Sequence, residues 1–256
     1  MPAATKLQEE YGDAIQVIFV ESQGATREQY EAFAWQQKWM GNHAMWTDER
    51  PIPTTGSGLP ETALIGIDGK VIMQGHPGSL GKKLEDAIEA EIKKSKQPPE
   101  GTPDALEKPW KAFLKGNVAA AIAECDKLGT DEAKAAREEF VARTKQRVER
   151  AKWLIDNGYL MEADKLTDDL AKDVKGSTDL EPLVAAEVAR IEAPEMEAER
   201  EASKALASLV GQIAKKKPFD AANVKKVEAL AKKHSGTKSG ERAAHIAELS
   251  KVKAGT

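Results

Sequence analysis

The stretch Lys96-Gln97-Pro98-Pro99-Glu100-Gly101-Thr102-Pro103 constrains the fold more than any other part of the chain. Three prolines and a glycine in eight residues cannot propagate a helix or a central strand. The 256 residues must therefore be built as two pieces, residues 1–95 and 104–256, joined by a linker over 96–103. The pieces differ in kind. Residues 1–95 hold 10 of the 19 glycines and carry 9 Lys/Arg against 14 Asp/Glu, a local charge of −5. Residues 96–256 carry 29 against 28, a balance of +1, and are rich in the helix formers Ala, Glu and Lys. The expectation is a mixed α/β piece followed by an all-α one.

Composition removes several classes of function. Lys+Arg count 38 and Asp+Glu 42, so the net charge is −4, and without a basic tract no nucleic-acid partner is expected. No apolar run approaches the roughly 18 residues of a membrane span. Cys125 is the only cysteine, which rules out an intramolecular disulfide and disfavours a thiolate zinc site. The histidines, His43, His76, His234 and His245, lack metal-ligand spacing, so no metal and no cofactor is expected. Residues 1–6 contain no apolar segment of the secretory type.

In the first piece, residues 4–11 read as a short helix stopped by Gly12. The run Ala14-Ile15-Gln16-Val17-Ile18-Phe19-Val20 reads as a strand buried on both faces, as in a parallel sheet. Thr26 is a candidate N-cap, with Gln29 placed to close a capping box, for a helix to about Trp39 that stops near Gly41. Ala44-Met45-Trp46 reads as a short extended piece and residues 50–58 as a turn-rich loop. Residues 62–67 and 70–75 form a hairpin around Asp68-Gly69. Residues 79–95 form an amphipathic helix with Leu80, Leu84, Ile88 and Ile92 on one face.

That order, with Leu59-Pro60-Glu61-Thr62-Ala63-Leu64-Ile65, Asp68-Gly69-Lys70-Val71 and Gly75-His76-Pro77-Gly78, resembles the thioredoxin fold. The likeness is to the bacterial periplasmic or membrane-anchored thiol–disulfide oxidoreductases, the redoxins. The resemblance implies that Pro60 is the family's cis-proline, and that the backbone of Leu59 pairs with a protein or peptide substrate in a groove flanked by Glu61. It also implies an exported parent protein. The family works through a C-x-x-C motif, in which one thiolate attacks a disulfide and the second cysteine resolves the mixed species. No such motif occurs in these residues. Residues 1–7 are similar to the stretch around the family's helix proline, with Pro2 in that role. On that likeness the cysteines and the first core strand would precede Met1, and the chain is expected to be N-terminally truncated. The missing strand would lie between those at 14–20 and 62–67 and leave both with open edges. The alternative is a degenerate, redox-inactive domain repaired by another pairing. No catalytic residue is assigned in either case.

The second piece reads as helical hairpins. Gly116-Asn117, Gly158-Tyr159 and Pro218-Phe219 each lead into a helix, over 118–128, 160–174 and 221–233. Each helix ends at a Gly/Ser/Thr break that opens another, and an extra helical stretch lies near 195–216. This is weakly similar to degenerate tetratricopeptide repeats, which serve as binding scaffolds, and a plain helical bundle fits nearly as well. Function is thus read in two ways: a thioredoxin-like oxidoreductase relative, inactive as written, or a peptide-binding scaffold whose helical piece recruits a protein partner. Other residues fit bland roles: Cys125 as core beside Val118 and Ile122, His76 as a surface turn, Trp35, Trp39 and Trp46 as a packed aromatic cluster. Asp48, Glu49 and Glu61 lie near the groove without a catalytic pairing, and Lys215-Lys216-Lys217 and Lys232-Lys233 read as solvated helix ends.

Overall fold

The computed structural model describes all residues except 1, 40–43, 50, 56–57, 214–217 and 253–256. The expectations placed on Gly41, His43, Arg50 and Lys215–Lys217 lie outside the described residues. The chain is mostly helical with two small sheets, and it divides into two compact units, Met1–Gly101 and Thr102–Lys253.

In the first unit α1 spans Pro2–Tyr11, and Gly12 (φ +54°) turns the chain into a short 3-10 turn, Gly12–Ala14. Strand β1 is only Phe19–Val20, not the seven residues that the apolar run suggests. It pairs in parallel with β2, Ala44–Met45, as Phe19↔Ala44 and Val20↔Met45. Nor is the run buried on both faces, because Ile18 is 48% exposed and Val20 37%. The cause lies in the backbone. A strand persists only where its N–H and C=O groups find partners, and among the described residues β2 is the only strand beside β1. Upstream, the side chain of Gln8 takes over part of that role. Its amide donates to the Ile15 carbonyl (2.9 Å), and its oxygen accepts from the Val17 N–H (2.7 Å).

Helix α2, Arg27–Gln36, opens with the reciprocal capping box that Thr26 and Gln29 suggested. Its apolar face buries Tyr30, Ala34 and Trp35. Strands β3, Thr62–Ile65, and β4, Val71–Gly75, form an antiparallel hairpin with a register shift at Leu64/Ile65. Gly69, at φ +78°, makes the turn, and Gly66 N–H donates to Lys70 C=O at 2.8 Å. The helix expected over 79–95 is two helices, α3 (Pro77–Leu80) and α4 (Lys82–Ser95). Gly81 breaks them with φ +47° and ψ −134°, a conformation that glycine tolerates and other residues avoid. The aromatic cluster is also rearranged. Trp39 stacks on Phe19 at 4.2 Å and meets Phe33 edge-on, while Trp46 is 36% exposed and donates to the Ala25 carbonyl.

The second unit is all helix: α5 Glu107–Leu114, α6 Val118–Leu128, α7 Asp131–Asp156, α8 Leu160–Val174, α9 Glu181–Glu192, α10 Glu197–Ile213, α11 Ala221–Lys233 and α12 Lys238–Leu249. Consecutive helices from α5 to α9 pack against one another, and α10 meets α8, α11 and α12. The starts of α6, α8 and α11 fall where the turn residues placed them. Asn117, Thr130, Asp220 and Thr237 each cap a helix through a side-chain oxygen. One core segment joins Trp110, Cys125 and Phe140, with the Trp110 ring edge-on to Phe140 at 4.8 Å. Another joins Val118, Ile122, Leu170, Leu180 and Val184. No helix among the described residues is long and apolar enough to cross a membrane.

Candidate functional site

The site is assembled from the segment before β3 and the open side of that strand. The Leu59–Pro60 peptide is cis. Leu59 is 49% exposed and sits at the surface immediately before the hairpin. Among the described residues, strand β3 has β4 on one side and no other strand neighbour, just as β1 has only β2. Apolar side chains remain in water around both strands. Among the described residues, nine of the thirteen large exposed apolar side chains lie in this unit, among them Ile18, Val20, Ile65, Ile67, Val71 and Ile72. An unpaired strand edge bordered by apolar side chains is a template for another extended chain.

Glu61 is bonded to the loop that precedes it and to β4. Its Oε1 accepts from the Thr55 N–H (2.7 Å), the Thr55 hydroxyl (2.5 Å) and the Gln74 amide (3.1 Å). The Gln74 amide also donates to the Pro53 carbonyl. These bonds, the Thr55 hydroxyl first, hold the carboxyl below the usual carboxylate range against the opposing effect of desolvation. Glu61 thus ties the 53–55 loop to the base of the hairpin instead of reaching outward. Its partners were not legible in the sequence, since Thr55 and Gln74 lie six and thirteen residues away and carry no motif.

The remaining candidates stay apart. His76 caps α3, its Nδ1 accepting from the Gly78 N–H at 3.1 Å. Asp48 and Glu49 are exposed, and no three His, Cys, Asp or Glu side chains among the described residues could hold a metal ion. Cys125 is 2% exposed in the core of the second unit, where burial pushes its thiol upward.

The helical unit carries one surface feature that no sequence motif marks. Trp153, near the end of α7, stacks on Tyr159 at 5.6 Å between centroids. The guanidinium of Arg150 lies 4.7 Å from the Trp153 ring centroid and that of Arg242 lies 3.4 Å from the Tyr159 centroid. The Arg150/Trp153 i, i+3 spacing on a helix was the available signal.

No family model, no curated protein and no solved structure matches the chain.

Proposed function

We propose that the chain is a non-enzymatic, thioredoxin-like peptide-binding protein. Its first unit receives an extended segment along the free edge of β3 beside Leu59 and Pro60, and its helical unit presents a second surface to a partner. The observation that carries this reading is the edge of β3 that no strand covers among the described residues, flanked by exposed Leu59, Ile65 and Ile67. Main-chain hydrogen bonds to such an edge supply affinity, and alternate side chains of the guest supply specificity. The oxidoreductase reading lacks its reagent in these residues. A dithiol cycle needs two thiols in reach, and the one cysteine is buried elsewhere.

The test is a titration of the chain with a labelled, Lys-capped peptide of alternating Thr and Val, followed by anisotropy. The reading expects saturable binding that is lost when proline replaces the central Val, because proline removes a ladder donor. Equal binding of both peptides, or of neither, would remove the edge-pairing reading.

A further inference from the structure

We propose that Arg150, Trp153, Tyr159 and Arg242 form a docking surface for an acidic segment of another protein, one carrying Asp or Glu side chains around an apolar residue. The proposal concerns the second unit alone and stands independently of the β3 edge.

The four side chains form a continuous ladder of guanidinium, indole, phenol and guanidinium. Trp153 is 46% exposed, while Tyr159 is half-buried and packs against the core around Leu154 and Leu160, so the ladder stands at the core's outer margin. Charge identifies the occupant. In this unit Arg137, Arg143, Arg147 and Arg190 each hold a carboxylate. Arg150 and Arg242, the two that flank the stacked rings, hold none among the described residues. Arg242 is anchored by its bond to the Gly158 carbonyl at 2.9 Å, while Arg150 lies on the face of Trp153. A guanidinium lying on an aromatic face keeps N–H donors at its rim. Two such rims, bracketing apolar ring surface, match carboxylates that bracket an apolar side chain. Trp, Tyr and Arg are also the residues that dominate binding energy at protein interfaces. A nucleic-acid strand is the less suited occupant, because a phosphate backbone calls for a run of cations, and residues 96–256 balance 29 Lys/Arg with 28 Asp/Glu.

The experiment titrates the full chain into a fluorescein-labelled peptide of Glu residues interrupted by Leu, in parallel with its Gln-for-Glu counterpart and with a labelled uridine oligonucleotide. The expected result is saturable binding of the Glu peptide, at least tenfold weaker for the Gln peptide and for the variants Arg150→Glu and Trp153→Ala. Both altered side chains are exposed, so the thermal melt should stay unchanged; Arg150→Gln and Trp153→Leu repeat the test with milder replacements. Affinity unmoved by these substitutions, indifference to the Gln exchange, or absence of peptide binding overturns the proposal. Binding of the oligonucleotide in place of the peptide overturns it in favour of a nucleic-acid surface.

Discussion

Replacing Glu199 with Ala should cost the helical unit about 3 kcal/mol, and the figure follows from the start of α12. The first four N–H groups of a helix, the N-cap included, have no partner within it, and at α12 the Thr237 N–H donates to the His234 carbonyl at 3.2 Å. Here the Gly240 N–H is taken by the Thr237 hydroxyl at 2.9 Å. The other two are taken from α10: Glu199 accepts from Lys238 N–H at 2.6 Å and from Ser239 N–H at 2.8 Å. Glu199 is 8% exposed and Ser239 fully buried. Each hydrogen bond to a charged acceptor contributes roughly 1.5–3 kcal/mol, and a carboxylate at a helix N-terminus adds about 0.3–1 kcal/mol. In the Ala variant, exposed Lys238 can recover water, whereas the Ser239 N–H cannot. One bond and the dipole term are therefore lost almost in full and the second bond in part, giving about 3 kcal/mol. At roughly 2–4 °C per kcal/mol, the melting temperature should fall by roughly 6–12 °C. Glu199→Gln keeps one acceptor oxygen and should lose about half as much. Urea unfolding followed by circular dichroism at 222 nm gives both values. An Ala variant within about 0.5 kcal/mol of the parent would refute the claim that Glu199 caps α12.

Other consequences follow from neighbouring features. Gly158 (φ +71°) and Gly129 (φ +65°) share a left-handed backbone, but a Cβ at Gly158 would stand 2.6 Å from Lys238 Cβ and 3.0 Å from Ser239 N, while Gly129 faces open space. Gly129→Ala should cost about 1 kcal/mol and Gly158→Ala about 3 kcal/mol in the same urea assay; equal costs would show that backbone conformation alone matters. Glu124 is held between Lys108 (2.8 Å) and Lys127 (2.9 Å), and these bonds lower its carboxyl to about 2. Because the folded-state value is depressed, its stabilisation is present above the unfolded value near 4.5 and is lost as pH falls through about 2. A carboxyl NMR titration should show that midpoint and an upward move in Lys108→Ala, and a midpoint near 4.5 in the parent would contradict the bridge. Cys125 should react with a thiol reagent once per chain in denaturant and only slowly in buffer, since it is 2% exposed; rapid reaction of the native chain would contradict its burial.

The helical unit was largely legible because its signals are local. Gly116, Gly158, Asn117, Thr130 and Thr237 punctuate helices within a few residues of where they sit, and α6, α8 and α11 begin accordingly. The sheets were less legible because a strand is made by its neighbour. The apolar run at 14–20 has strand composition, but only Phe19 and Val20 have a paired strand beside them. The break at Gly81 was hidden because Leu80 and Leu84 keep helical spacing across it. At the candidate site, Leu59 and Pro60 were picked out by local likeness. The inward turn of Glu61 toward Thr55 and Gln74, and the meeting of Tyr159 with Arg242, depend on contacts between distant residues.

Residue-resolved amide hydrogen exchange tests the open edge of β3 directly. With β4 as its one strand neighbour among the described residues, β3 should exchange rapidly in the free chain at those amides of Thr62–Ile65 that face away from β4. They should slow at least tenfold on adding the alternating Thr/Val peptide, with no change in the helical unit. Uniformly slow exchange across Thr62–Ile65 in the free chain, or exchange that the peptide leaves untouched, would contradict the claim that this edge is open and receives an extended guest.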